Sequence, residues 1–172
     1  MHVVRLETSS SEQTETLGAL LGQSIEAGIV VTLSGPFGAG KTTFVQGLGR
    51  GMGIQVPIVS PSFALVNEYQ PQETGGRLPF FHFDFYRLQN LSEVQELDLD
   101  DYVARRGVIT IEWPEIATSI LPDDHFAIEI RDRETTRQLE FTASGPISLK
   151  LLDVIGGYRP MVDGTTTQAH DL

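Results

Sequence analysis

The chain has 172 residues, 40% hydrophobic and 20% charged, which suits one compact domain with a buried core. Twelve basic residues against 23 acidic ones give a formal net charge of -11, which excludes broad direct binding of a nucleic-acid backbone and leaves room for a basic partner or a locally held anion. There is no cysteine, so disulfides and thiolate metal sites are excluded; with neither a signal-peptide core nor an apolar run of ~18 residues, the expectation is a cytoplasmic protein without membrane contact.

In chain order, residues 9–28 read as a helix, with serines at its start as N-cap candidates and Gly28 as a stop. Leu17, Leu20, Leu21 and Ile25 share one face at helical spacing. "IVVTLSG" (29–35) is β-branched without polar alternation, which marks a central strand covered on both faces. A second helix is expected from Lys41 to about Leu48, ended by the glycines at 47, 49, 51 and 53. Two prolines follow, then a strand from Phe63 to Tyr69 and an exposed turn over 71–77.

"LPFFHFDFYRL" (78–88) alternates: Phe81, Phe83 and Phe85 point to one face, His82, Asp84 and Tyr86 to the other. Short helical pieces are expected over 90–107, with Ser92 and Gln95 as a capping box. "VITIEWPE" (108–115) reads as a buried strand ending in Glu112. "HFAIEIRD" (125–132) and "RQLEFTAS" (137–144) form an antiparallel hairpin around a polar turn, and 147–158 a closing helix. One domain over 1–159 and a polar, disordered tail over 160–172 are expected. Helices alternating with strands, then a hairpin, give an α/β fold whose mostly parallel sheet has an antiparallel edge hairpin.

Gly35 to Thr42, "GPFGAGKT", matches G-x-x-x-x-G-K-[ST], the phosphate-binding P-loop. Four specified positions match by chance on the order of once in a hundred chains of this length. This match also falls between a buried strand and a helix, the context the loop requires. The glycines let backbone N–H groups converge on phosphate oxygens, and the following helix adds its N-terminal partial charge. Phe37, Gly38, Ala39, Gly40, Lys41, Thr42 and Thr43 are therefore the expected nucleotide contacts. Lys41, one of two lysines, reaches the β- and γ-phosphates, and the Thr42 hydroxyl ligates Mg2+. No N-K-x-D sequence surrounds the other lysine, Lys150, so guanine specificity is not expected.

Four separated motifs, "GAGKTTF", "SPSFALVNEY", "FHFDFYRL" and "VITIEWPE", together resemble the bacterial TsaE (YjeE) ATPases of tRNA threonylcarbamoyladenosine synthesis. The resemblance runs over about 12–145. It departs at Pro36 and Phe37, where an acidic residue and leucine are common, at Ser62 for threonine, and at Phe85 for leucine. The resemblance implies a three-layer P-loop NTPase-like fold that binds ATP with Mg2+ and hydrolyses it weakly alone. It also implies action with a TsaB–TsaD complex, in which TsaD performs the transfer, so that tRNA is met through the partners.

Several of the remaining candidates carry a plainer alternative. Asp84 orients or deprotonates the attacking water, or is a strand-end carboxylate capping a loop. Glu112 has the strand-end position of a Walker-B acid and, by the resemblance, is a magnesium ligand beside Thr42; the alternative is an exposed strand end. Trp113 stacks near the base or simply packs, Glu115 contacts the nucleotide, and Arg137 leans over it from the hairpin. Ser62 in "SPS" senses the γ-phosphate, or Pro61 merely shapes a turn. His82 is read as a supporting or packing residue, with a catalytic base as the alternative. The acids at 93, 96, 98, 100 and 101 form a solvated face or a docking patch. A small-molecule kinase on the same scaffold is the competing function, although no long lid insertion is evident.

Overall fold

Strand β1 (His2–Thr8) leads into helix α1 (Ser11–Ser24) in a computed structural model that describes residues 2–158. Next come β2 (Ile29–Ser34), α2 (Lys41–Gly51), β3 (Val66–Tyr69), α3 (Pro71–Thr74) and β4 (Phe80–Asp84). Helices α4 (Leu91–Gln95) and α5 (Leu99–Ala104) precede β5 (Val108–Glu112) and a 3-10 helix, Pro114–Ile120. The hairpin β6 (His125–Asp132) and β7 (Arg137–Ala143) and helix α6 (Pro146–Gly156) complete the described chain. The polar tail expected over 160–172 lies outside the described residues.

All seven strands form one sheet in the order β1-β7-β6-β2-β5-β4-β3. The four central strands, β6, β2, β5 and β4, are parallel. β7 and β1 continue antiparallel on one side and β3 on the other. β2, β5 and β4 are buried at nearly every position, as strands covered on both faces must be. Their alternation builds two cores. Val31, Leu33, Phe80 and Val108 face α1, α2 and α6, while Val30, Ile109, Ile111, Phe81 and Phe83 face α4, α5 and the 3-10 helix. The result is a three-layer α/β fold with a mostly parallel centre.

The hairpin is inset rather than outermost. β1, which has no strong signal in the sequence, pairs with β7 over residues 2–8 and takes the edge. β3 starts at Val66 instead of Phe63, because Ala64 and Leu65 donate back to the Pro61 carbonyl and Leu65 has φ +66°. The capping residue of α4 is Asn90, not Ser92: its side chain accepts from Glu93 N at 3.1 Å, and Glu93 Oε2 in turn accepts from Gln89 N at 3.0 Å.

The second helix does not stop at Leu48. It runs through Gly47 and Gly49 to Gly51 because Gly47 and Gly51 lie against α1, while Gly49 lies against the Ile58 side chain. A Cβ at Gly47 would overlap the Glu15 carbonyl, and one at Gly51 the Ala19 carbonyl. In return, Gly18 and Gly22 of α1 admit the carbonyls of Phe44 and Leu48. Two helices thus touch backbone to backbone, so Gly47 and Gly51 are close-approach residues, and Gly53 (φ +90°), just past the helix, is the glycine of the four that ends it.

Candidate nucleotide site

The parallel strands β2, β5 and β4 end side by side, so the segments that follow them share one rim of the sheet. In open α/β sheets this carboxyl-end rim is where ligands bind. Beyond β2 the chain enters Gly35 (φ +134°), Gly38 (φ +80°) and Gly40 (φ +102°), dihedrals that strain any residue with a Cβ. Gly40 then caps α2, leaving the first-turn amides directed into the loop. Loop and helix border a cleft of about 360 Å³ that also reaches Ser60, Ser62, Asp84, Tyr86, Glu112 and Trp113.

Lys41 is 5% exposed. Its Nζ donates to the Gly35 and Pro36 carbonyls at 2.8 and 2.9 Å and stands 3.7 Å from the Trp113 ring centroid. Burial pushes its ammonium below the ordinary value near 10.5, while the nearby carboxylates of Glu112, Glu115, Asp84 and Asp132 act the other way. One cation is therefore shared among four anions. The site carries local negative charge in spite of its lysine.

Two of those carboxylates are neighbours: Asp84 and Glu112 are register partners on β4 and β5. Each has its own donors. Glu112 accepts from Thr42 Oγ1 at 2.9 and 3.1 Å, and its Oε1 lies 2.9 Å from His82 Nε2. Asp84 Oδ2 accepts from Ser60 Oγ at 2.8 Å and Ser62 Oγ at 3.0 Å, and Oδ1 accepts from Tyr86 N at 3.0 Å. The two hydroxyls lie 2.7 Å apart. The loop before β3 is thereby tied to the end of β4.

Of the residues singled out in the sequence, Phe37, Gly38, Gly40, Lys41, Thr42, Thr43, Ser62, Asp84, Glu112 and Trp113 meet at this cleft. Ala39 is fully buried beneath the loop, so its side chain faces the core. Glu115 sits exposed on the 3-10 helix, within electrostatic reach of Lys41. Arg137 borders a separate depression beside Thr8 and Ser9, but its Nε is buried without a hydrogen-bond partner and would lie 3.4 Å from a Cβ on Gly40. Phe37 is 85% exposed at the loop tip. Ser60 and Tyr86 were not singled out for the site. Both had a signal: Ser60 is the first hydroxyl of "SPS", and the alternation of 78–88 puts Tyr86 on the face of His82 and Asp84. Tyr86 packs on Trp113 with ring centroids 5.0 Å apart.

A glycine-rich loop joining a central parallel strand to a helix, with a strand-end carboxylate bonded to the loop's threonine, defines a P-loop nucleotide-binding protein. More narrowly, the chain belongs to the TsaE family: the family model described as "Threonylcarbamoyl adenosine biosynthesis protein TsaE" matches residues 8–139. A tRNA threonylcarbamoyladenosine biosynthesis protein TsaE from a Nostoc species is 46% identical over 117 residues, 66% of this chain and 69% of the relative. Its counterpart in Bacillus subtilis is 36% identical over 146 residues, 84% of this chain and 89% of the relative. The crystal structure of Bacillus subtilis YdiB superposes with a TM-score of 0.75 at 31% identity, covering 90% of this chain and 94% of that one.

Proposed function

We propose that this chain is the ATP-binding and ATP-hydrolysing component of the machinery that makes N6-threonylcarbamoyladenosine in tRNA. It acts in the cytoplasm as one domain over 1–159, with a TsaB–TsaD complex, and is not itself the transferase. The observation that carries the reading is the pair of adjacent carboxylates, one bonded to Thr42 of the P-loop and the other to the "SPS" hydroxyls.

In this reading the amides of Phe37 to Thr43 cradle the phosphates. Lys41 exchanges the Gly35 and Pro36 carbonyls for β- and γ-phosphate oxygens. Hydroxyl and carboxylate oxygens are hard donors, so Thr42 and Glu112 suit Mg2+, which takes one or two protein oxygens and completes its shell with phosphate and water. Bound there, the ion would neutralise charge on the β- and γ-phosphate oxygens. The negative charge around Lys41 favours nucleotide arriving with a divalent cation over nucleotide alone. Asp84 accepts a proton from, or orients, the attacking water, and Ser62 reports the γ-phosphate. Trp113, Glu115 and Arg137 supply further nucleotide contacts.

What lines the cleft supports partner activation. Among the described residues, Lys41 is the one cationic side chain there. Arg87, the other basic residue of the motifs, lies over the Phe63 ring at 4.2 Å. Phosphoryl transfer gains much from an additional arginine or its equivalent, which a second protein can supply. The test is single-turnover hydrolysis by the pure chain, then with TsaB–TsaD, then with tRNA. Slow hydrolysis that rises with the complex is expected. Equal rates in all three mixtures reject partner activation, and phosphate appearing on an added small acceptor instead of in solution favours a kinase.

A further inference from the structure

Strand β4 carries phenylalanine at 80, 81 and 83, and between them a fully buried imidazole at 82. The ring does not border the cleft, so none of the steps above uses it. One nitrogen, Nδ1, is buried without a hydrogen-bond partner, and the ring stacks near Phe80 with centroids 6.4 Å apart. A buried polar atom left unsatisfied is a cost that phenylalanine in the same space would avoid. The bond made by the other nitrogen is the gain that offsets it.

That bond is diagonal. His82 stands directly opposite Thr110 on β5, yet its Nε2 reaches one pleat further to Glu112 Oε1, at 2.9 Å. The same oxygen accepts from Thr42 at 2.9 Å. Facing a carboxylate oxygen, Nε2 must carry a proton, and Nδ1 is the ring nitrogen left without a partner. Glu112 also has an alternative partner close by, since it acts electrostatically on the Lys41 ammonium.

We propose that His82 is a positioning residue: its Nε2–H holds the Glu112 carboxylate turned toward Thr42 and away from Lys41, so that the two magnesium donors stay paired. This rests on the reading of Thr42 and Glu112 as magnesium ligands. Groups that orient a metal's ligands commonly change metal affinity by about 10–100-fold when removed, without touching the ion.

The experiment titrates a non-hydrolysable ATP analogue into the full chain by calorimetry, across a magnesium series and in EDTA. His82→Phe removes the donor, and His82→Gln returns an N–H near the position of Nε2. H82F should need about tenfold or more magnesium for half-maximal binding. Its affinity in EDTA should be unchanged, its melting temperature no lower than wild type, and H82Q should recover most of the shift. A wild-type magnesium midpoint in H82F, or an equal loss with and without magnesium, overturns the proposal. Glu112→Gln runs in parallel: a shift in E112Q but not in H82F rejects the positioning role alone, and no shift in E112Q rejects the metal reading beneath it. Nitrogen NMR of the wild-type ring needs no variant; a protonated Nε2 is expected, and a bare Nε2 overturns the proposal even where H82F fails to fold.

Discussion

At the scale of single residues, the site separates binding from turnover. Lys41→Ala removes the one cation that lines the cleft among the described residues. A lost charge-assisted bond costs about 1.5–3 kcal/mol, so ATP affinity should fall by roughly tenfold to a hundredfold or more while circular dichroism stays unchanged. Unchanged affinity in the folded variant would sink the P-loop assignment. Asp84→Asn should leave binding intact and lower turnover by about 10²–10⁴-fold, as loss of a positioned proton acceptor does; weakened binding with normal turnover per bound ATP would reverse the roles. The Lys41 ammonium also gives a pH dependence with a definite sign. Its folded pKa lies below the ordinary 10.5, so between the two values the unfolded chain holds a proton that the folded chain has released. Nucleotide-free stability therefore gains from this group as pH rises through that window, and the cost of the buried charge is present in full below it. Phosphate binding needs the charged form, so ATP affinity should begin to fall with rising pH before 10.5 is reached; a flat profile up to that value would contradict the shift.

Among elements, the contact of α1 with α2 carries the strongest constraint. Glycine-to-alanine changes inside an exposed helix stabilise by about 0.8–1 kcal/mol. At Gly47 or Gly51 the new methyl meets an α1 carbonyl, and overpacking of that kind costs about 1–3 kcal/mol or more. The steric term wins, so either alanine variant should melt several degrees lower, at about 2–4 °C per kcal/mol for a chain of this size. A higher melting temperature would show that α1 can move aside freely. Because α2 begins at the P-loop lysine, the same variants should also weaken ATP binding. A second constraint holds the far end of the chain: Asp124 accepts from the Ile147 and Ser148 amides at 2.7 and 3.0 Å and so caps α6 from another element. Burial opposes the charged form of Asp124, but these bonds outweigh it and hold its pKa low. Asp124→Ala should cost about 1 kcal/mol of stability, read by denaturant unfolding.

For the whole molecule, charge sets the partners. A net charge of -11 leaves few phosphate contacts available, so the isolated chain should not bind tRNA at physiological salt, and tRNA should join only when the partner complex is present. Salt-sensitive tRNA binding by the pure chain in a filter assay would contradict an indirect role. Much of this was legible in the amino-acid order, because it depends on neighbours within a few residues. The run 29–34 reads as a doubly covered strand, Gly35–Thr42 as a phosphate loop, and the alternation of 78–88 sends His82 and Asp84 to one face. What the order alone left open depends on distant partners. Residues 2–8 become a strand because β7 offers them an antiparallel ladder. Helix α2 continues through Gly47 to Gly51 because α1 brings carbonyls against those two glycines and Ile58 packs on Gly49 between them, whereas local propensity reads the glycines as a stop. Asp84 and Glu112 become neighbours, and His82 reaches Glu112 across 30 positions, through the parallel register of β4 and β5. Local patterning thus determined which side chains turn toward the site, and strand order and helix packing decided which of them touch, since register and close approach are set by surfaces far apart in the chain.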